Sequence, residues 1–240
     1  MENENLEYSN QILKILDALV ERKFCDLLGL NDTRFDGADL GKIARIAAGV
    51  DSANFAASEF NDLPTFTDHL ALLAYAMGQR KLEGLILEFG VFSGQTINFL
   101  ASLTTQRIYG FDSFEGLPED WRPDFPKGCF RRDLPEVGDN VELVVGWFDQ
   151  ALPTFLANHS EKASLIHVDC DLYSSTKIIF DLCQDRIAAG TIIVFDEFFN
   201  YVGWRRHEYK AFMELIATKD LRFKYIGYVP RHQQVAVEIL

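Results

Sequence analysis

The sequence of 240 residues is poor in cysteine and has fewer basic than acidic residues. Its four cysteines, Cys25, Cys129, Cys170 and Cys183, form no C-x-x-C pair and have no metal-ligand spacing. We therefore expect reduced thiols and neither a disulfide framework nor a zinc site. Lysine and arginine number 23 against 36 aspartates and glutamates, which gives a net charge of −13. Such an acidic chain is a poor partner for nucleic acid or for an anionic membrane.

Long apolar runs are also lacking. No run approaches transmembrane length, and the N-terminal stretch MENENLEYSN has neither the basic nor the apolar region of a signal peptide. These absences predict a cytoplasmic protein with no membrane partner. Apolar residues make up 48% of the chain, which is enough for a sizeable core in one large domain or in one domain with a helical appendage.

The first third of the chain is predicted to be helical. Apolar residues recur at helical spacing over residues 6–29, and a further helix is predicted at Thr67–Gln79. Residues 31–40 are predicted to form a loop followed by a short helix. This third shows no evident chemistry, so we predict a helical cap, a lid or a dimerisation region at residues 1–80 and a second domain at residues 81–240.

From residue 85 onward, short apolar runs alternate with helical patterns, which predicts a parallel sheet. The predicted strands are 85–87, Arg107–Phe111, Val141–Val145, Leu165–Val168 and Thr191–Phe195. Two closing runs, Phe223–Tyr228 and Gln234–Ile239, are too close together for a helical crossover and predict an antiparallel hairpin. This ending is typical of a Rossmann-like methyltransferase sheet, whereas a dinucleotide dehydrogenase normally ends on another parallel strand.

The stretch at residues 85–102, LILEFGVFSGQTINFLAS, predicts a buried strand, a tight turn and a helix. Gly90 and Gly94 would let a cofactor approach the backbone closely, and the first amides of the helix would face a polar ligand. Asp112 ends the second predicted strand, where a carboxylate accepts hydrogen bonds from both hydroxyls of a ribose. Nicotinamide cofactors and S-adenosylmethionine both fit this requirement. The glycine pattern, however, is not G-x-G-x-x-G.

Acidic residues also end the two predicted strands beside the first. Asp169, Asp196 and Glu197 offer three hard oxygen ligands, which favour Mg²⁺ or Ca²⁺ over zinc. A bound cation would lower the pKa of a substrate hydroxyl and orient its oxygen. Asp171 lies two residues beyond Asp169 and is predicted to face the same pocket as a general base.

Five blocks of sequence carry a resemblance to a known family. EFGVFSG, FDSFEGLP, GWFDQALP, VDCDLYSST and IIVFDEF, in this order, resemble the macrocin-type O-methyltransferases that tailor antibiotic sugars in natural product biosynthesis. The resemblance covers about residues 85–197. It implies an α/β fold with a Rossmann-like class I methyltransferase sheet, to which the residue patterns add a C-terminal antiparallel hairpin and an N-terminal helical cap. It also implies S-adenosylmethionine as methyl donor, Mg²⁺ and a homodimer.

The resemblance also implies roles for individual residues. The metal ligands fall on Asp169, Asp196 and Glu197, and the base falls on Asp171. Where the family often has Asp-Asp, this chain has Asp196-Glu197. The predicted cofactor-binding residues are Glu88, Phe89, Gly90, Gly94, Asp112, Ser113, Phe114, Gly146, Trp147, Phe148 and Asp169.

The predicted function is S-adenosylmethionine- and Mg²⁺-dependent O-methylation of a small hydroxylated molecule, such as a sugar of a secondary metabolite. A metal-independent methyltransferase, an NAD-dependent oxidoreductase and a non-catalytic module on the same fold stay open as alternatives. The closing hairpin and the missing G-x-G-x-x-G count against the oxidoreductase. The long connection Glu119–Asp139 is predicted to be a lid or a binding loop, in which Arg131 and Arg132 could meet an acidic group. The sequence does not identify the methyl acceptor.

Overall fold

A computed structural model describes residues 2–28 and 39–240, with side chains from residue 12 onward in the first range. The loop predicted at residues 31–38 lies outside the described residues. The chain divides into two compact units, residues 1–51 and 52–240. The predicted division at residue 80 and the predicted role of the first 80 residues stay predictions.

The first unit contains helix α1 (Glu2–Leu28) and the beginning of helix α2 (Leu40–Glu59). Helix α1 confirms the helix predicted from residue 6. The prediction of a short helix near residue 40 is wrong in length, because α2 contains 20 residues. The end of α2 belongs to the second unit, where the Phe55 ring lies 5.3 Å from Phe60 and 5.0 Å from Trp204, centroid to centroid. Aromatic packing therefore extends this helix beyond its local sequence signal.

The second unit is built on a seven-stranded sheet in the order β3-β2-β1-β4-β5-β7-β6. Strands β1 to β5 are parallel, and β7 pairs antiparallel with both β5 and β6. The predicted parallel sheet and closing hairpin are confirmed. The strands are β1 (Leu85–Phe89), β2 (Ile108–Asp112), β3 (Val141–Val145), β4 (Ala163–Val168), β5 (Ile192–Phe195), β6 (Phe223–Tyr228) and β7 (Val235–Ile239).

Helices cover both faces of this sheet. Helices α3 (His69–Gln79) and α4 (Gln95–Ser102) pack on one face, and α5 (Phe148–Asn158), α6 (Tyr173–Cys183) and α7 (Glu208–Lys219) pack on the other. Helix α5 begins at Phe148, and the Ala151 amide donates to the Trp147 carbonyl in its first turn. None of the helices in the described ranges combines the length and the apolar character that crossing a bilayer requires.

The strand register brings the carboxyl ends of β1, β4 and β5 together. Glu88 pairs with His167, and Val168 pairs with Phe195. Asp169 and Asp196 therefore leave the sheet side by side, as the sequence predicted for acids that directly follow parallel strands.

Gly90 stands where the chain leaves β1. Its φ angle is +95°, and a Cβ atom at this position would lie 1.7 Å from the Asp169 carbonyl oxygen. The glycine is therefore required by the close approach of two strand ends and not only by the approach of a ligand, which was the reason inferred from the sequence.

We predict that Gly90→Ala lowers the free energy of unfolding by at least about 3 kcal/mol, because both the positive φ and the carbonyl contact resist a methyl group. Gly78→Ala is the matched control, since this exposed glycine in α3 has nothing within 4 Å of an added Cβ. It should stay within about 1 kcal/mol of wild type, on the stabilising side. Urea denaturation followed by circular dichroism measures both, and equal stabilities would contradict the prediction.

Candidate active site

A cavity of about 350 Å³ opens at the carboxyl edge of the sheet. This volume falls in the range of small-molecule sites. Predicted site residues that line it are Gly90, Asp112, Ser113, Gly146, Trp147, Phe148, Asp169, Asp171 and Glu197. Others lie outside its lining, namely Glu88, Phe89, Gly94, Phe114 and Asp196. The role of each as a cofactor, metal or base residue stays a prediction.

Asp112 organises the loops beside the cavity. Its Oδ2 accepts the amides of Val91 at 2.9 Å and Phe92 at 2.8 Å, and its Oδ1 accepts the Phe114 amide at 2.8 Å. The carboxylate thus joins the loop that follows β1 to the loop that follows β2. Because each carboxylate oxygen has two lone pairs, Oδ1 retains capacity for a ligand hydroxyl.

Phe89, Gly94 and Phe114 support the site from behind. Phe89 stacks on Phe111, with ring centroids 4.9 Å apart, and neither ring is exposed. Gly94 is the N-cap of α4 with φ +76°, and Phe114 has φ +57° and is buried. These three residues hold the turns in place and make no wall of the cavity.

Glu88 is fully buried and does not line the cavity. Its Oε1 accepts the Thr96 hydroxyl at 2.9 Å, and its Oε2 lies 2.9 Å from Nδ1 of His167. His167 is 1% exposed, so the pair is shielded from water. The sequence offered no signal for this pairing, because the two residues are 79 positions apart.

Carboxylates crowd the edge of the cavity next to β4 and β5. Burial, and then the neighbouring acids, raise the pKa values of Asp169, Glu197 and Glu208 well above the usual range. Asp196 adds a further charge and accepts a hydrogen bond from the Gln234 side chain at 3.1 Å. Crowded buried carboxylates of this kind need protons or a cation to offset their charge.

Asp171 combines an unusual backbone conformation with a raised side-chain pKa. Its φ angle is +65°, in the left-handed region that few residues other than glycine, asparagine and aspartate adopt, and it is buried beside the cavity. Burial raises its pKa to about 7, against the opposing effect of Arg122 and with a further increase from Asp196. A carboxyl group with a pKa near neutrality is suited to proton transfer.

Arg122 is a cavity residue that the sequence analysis missed. Its guanidinium lies 3.4 Å from the ring centroid of Trp121 and 4.5 Å from that of Tyr201, and its buried Nε has no hydrogen-bond partner among the described residues. Among the described residues that line the cavity, it is the only one with a positive charge. Arg131 and Arg132, which the sequence singled out, do not line it.

The connection predicted to be a lid or a binding loop contributes aromatic residues to the lining of the cavity. Trp121, Phe125 and Phe130 of this connection line it, and the Phe130 ring contacts Phe92 edge to face at 5.6 Å between centroids. A second missed residue is Glu208, the first residue of α7, which is fully buried and accepts the Glu197 amide at 3.1 Å. Neither Arg122 nor Glu208 follows a strand, so strand-end patterning could not find them.

One geometric cluster is suitable for a cation. A ring nitrogen of His167 and one carboxylate oxygen each of Asp169 and Asp196 all lie within 4.8 Å of one another. Among the described residues, the predicted set with Glu197 does not meet this distance criterion. Mixed nitrogen and oxygen ligands at this separation can converge on one metal ion.

Residues 87–198 match the family model described as a methyltransferase domain. This segment of the chain is similar to a methyltransferase domain. The matched residues run from β1 to just beyond β5, which is the part of the sheet that forms the cavity. The resemblance to class I methyltransferases predicted from the five sequence blocks is confirmed.

Related proteins agree with this assignment. A Streptomyces olivaceus protein named 8-demethyl-8-(2,3-dimethoxy-alpha-L-rhamnosyl)-tetracenomycin-C 4'-O-methyltransferase is 26% identical over 143 residues, which cover 49% of this chain and 54% of that relative. The match thus spans about half of the relative's length. The calicheamicin methyltransferase CalS11 superposes with a TM-score of 0.57 at 20% identity, over 80% of this chain and 91% of its own. The O-methyltransferase NovP gives 0.54 at 18% identity, over 70% and 78%. These two structures show the shared fold.

We predict that Thr96→Val lowers the free energy of unfolding by about 1–3 kcal/mol, because Oε1 of the buried Glu88 loses its hydrogen-bond donor. Thr96→Ser is the matched control, since it keeps the hydroxyl and removes only a methyl group. Urea denaturation of both variants provides the measurement. A serine variant less stable than the valine variant would show that the methyl group matters more than the hydrogen bond.

Proposed function

We propose that this protein is an S-adenosylmethionine-dependent O-methyltransferase that acts on a hydroxyl of a small molecule. The observation that carries the proposal is the cavity itself. Within the methyltransferase domain, Asp112 on one side and Asp169 and Asp171 on the other line a single cavity at the carboxyl edge of the sheet. Ligands of open α/β sheets bind at this edge.

The residues around Asp112 fit an adenosyl group. The carboxylate is held by three backbone amides and keeps acceptor capacity, which suits the hydroxyls of a ribose. Trp147 and Phe148 present aromatic surface to the same cavity, which suits a flat base. The proposed cofactor residues on this side are Asp112, Ser113, Gly146, Trp147 and Phe148.

The acidic side of the cavity fits a divalent cation. Asp169 and Asp196 lie within ligating reach of each other, and Oε2 of the nearby Glu197 is buried without a hydrogen-bond partner in the described structure. Oxygen ligands of this kind suit Mg²⁺, with Glu197 as the third ligand inferred from the sequence. When bound, S-adenosylmethionine supplies an activated methyl group and the cation supplies positive charge that lowers the pKa of a hydroxyl.

The chain's own residues would position the acceptor and move its proton. Asp171 faces the cavity and would accept the proton of the acceptor hydroxyl. Arg122 would keep positive charge beside Asp171 and favour its ionised form. The rings of Trp121, Phe125 and Phe130 would exclude water above the site. Because the methyl donor is already activated, holding the two reactants in line accounts for most of the acceleration.

We propose a sugar as the acceptor class. One relative is named as a 4'-O-methyltransferase of a rhamnosyl-tetracenomycin C, and one solved structure is titled a TDP-rhamnose 3'-O-methyltransferase. Carboxylates that accept hydroxyl hydrogens and aromatic rings that pack on C–H faces both suit a sugar ring. The first acceptors to assay are therefore α-L-rhamnosides and nucleotide-linked rhamnose.

The decisive prediction separates cofactor binding from chemistry. Calorimetric titration of S-adenosylhomocysteine should show micromolar binding to wild type and at least about tenfold weaker binding to Asp112→Asn, because an amide cannot replace the carboxylate acceptor. Asp171→Asn should bind within about threefold of wild type and lose at least about 100-fold in methyl transfer, since the loss falls on the general base. Mass spectrometry of the acceptor panel measures the transfer.

Glu115→Gln is the matched control for this experiment, because Glu115 is an exposed acid three residues beyond Asp112 that does not line the cavity. It should bind and react like wild type. Wild-type protein that binds no S-adenosylhomocysteine would refute the methyltransferase proposal. Binding without transfer to any acceptor would favour the non-catalytic alternative.

We also propose that the protein is a homodimer that uses helix α1. Apolar side chains cover one side of this helix, and each is about half exposed or more. They are Ile12, Leu13, Ile15, Leu16, Leu19, Val20, Phe24 and Leu27. A stripe of this length is unusual on a monomer surface, whereas pairing with a second copy would bury it.

The dimer proposal predicts that Leu16→Glu, in the middle of this stripe, shifts the protein from dimer to monomer in light scattering coupled to size-exclusion chromatography. A charge buried in an apolar interface lacks a partner and opposes association. Ala18→Glu adds the same charge on the opposite side of α1 and should remain dimeric. Wild-type protein that is monomeric at micromolar concentration would contradict the proposal.

A further inference from the structure

We propose that Arg122 determines acceptor specificity by donating hydrogen bonds to a second oxygen of the acceptor, next to the hydroxyl that receives the methyl group. The inference rests on the proposed function and deepens it, because it names what else the acceptor must carry. It is separate from the influence of Arg122 on Asp171, since here the guanidinium contacts the acceptor itself. The ligand class is a sugar with two neighbouring oxygen substituents.

The guanidinium of Arg122 has no polar partner among the described residues. Arg122 lines the cavity, its buried Nε has no hydrogen-bond partner, and its terminal nitrogens make no hydrogen bond or ion pair with a described residue. A partly buried arginine is ordinarily paired, because its N–H groups have lost water. An acceptor oxygen in the cavity would supply the missing partner.

Two aromatic rings hold the guanidinium in place. Its Cζ lies 3.4 Å from the ring centroid of Trp121 and 4.5 Å from that of Tyr201. Stacking uses the faces of the planar group and leaves the N–H groups at its edge available for hydrogen bonds. The donors are therefore positioned before a ligand arrives, which lowers the entropic cost of binding it.

The segments that carry these groups are themselves fixed. The Trp121 amide donates to the Phe125 carbonyl at 3.0 Å, and the Phe125 amide donates to the Arg122 carbonyl at 2.9 Å. On the other side, the Tyr201 hydroxyl donates to the Glu197 carbonyl at 3.3 Å. Arg122 thus lies between a tightly bonded turn and the segment that follows β5.

Arg122 lies on the acceptor side of the cavity. Burial raises the pKa of Asp171 and the charge of Arg122 opposes that rise, so the two side chains are neighbours. Tyr201, which the guanidinium contacts, follows β5 and not the strands that lead to Asp112. A carboxylate accepts hydroxyl hydrogens, whereas a guanidinium donates to hydroxyl oxygens. Together, Asp171 and Arg122 can distinguish two adjacent hydroxyl groups of one sugar.

The test compares methyl α-L-rhamnoside with its 2-, 3- and 4-deoxy analogues as acceptors, with mass spectrometry of the methylated product. The analogue that lacks the methylated hydroxyl should give no product. Of the other two, wild type should use the one without the recognised oxygen with kcat/KM at least about tenfold lower than for the rhamnoside. In Arg122→Met this discrimination should fall below about twofold, because the donor that distinguishes the acceptors is gone.

Arg131→Met is the matched control, because Arg131 belongs to the same connection, is exposed and does not line the cavity. It should keep the wild-type discrimination. Arg122→Lys keeps the charge without the planar fork of donors and should restore only part of it. Calorimetry should show that all three variants bind S-adenosylhomocysteine within about threefold of wild type, which also establishes that they are folded.

Several results would overturn the assignment. Wild type that uses both remaining analogues as well as the rhamnoside would do so without any variant, and so would tenfold discrimination that persists in Arg122→Met. Binding of S-adenosylhomocysteine at least about tenfold weaker in Arg122→Met would assign the guanidinium to the cofactor instead. No transfer to any of the rhamnosides would refute the proposed acceptor class and this inference together. Transfer whose selectivity is independent of Arg122 would refute only this inference.

Discussion

The crowding of negative charge at the carboxyl edge of the sheet is the constraint on which the site depends. Asp169 and Asp196 leave paired parallel strands side by side, and buried Glu208 contributes a third acid from α7. Burial alone disfavours ionisation of such groups, and their mutual repulsion disfavours it further. Arg122 offers the single positive charge among the described lining residues. A fold that keeps these acids together gains from binding a cation.

The scaffold can hold such charges because the strand ends are fixed by short-range contacts. The Asp112 carboxylate joins two loops through three backbone amides. The Gly90 amide donates to the Phe111 carbonyl, and the Asp169 amide donates to the Phe89 carbonyl. Apolar layers on both faces of the sheet resist movement of these ends. Groups on rigid elements are positioned more precisely than groups on loops, which suits a reaction that depends on alignment.

The sequence predicted most of the sheet and the acids at its edge, for reasons that are local. Strands β1, β4 and β5 are buried along their whole length and are mostly apolar, and an acid within β1 or directly after β4 and β5 is visible in the same window. The contacts of Glu88 with His167 and of Arg122 with Tyr201 were not visible. They depend on strand register and on the path of a long loop, which no local pattern encodes.

The charged residues that line the cavity also influence which acceptor molecules can bind there. The negative charge of an anionic acceptor would be repelled by Asp169, Asp171 and Glu197 in the lining. Only Arg122 could offset that charge, and its guanidinium already lies over two aromatic rings. A neutral molecule with many hydroxyl groups meets no such repulsion, and its hydroxyls can donate to the carboxylates. Aromatic lid residues add apolar surface without charge. The electrostatics of the cavity thus favour a neutral hydroxyl over an acidic group for the part of the acceptor that enters the cavity.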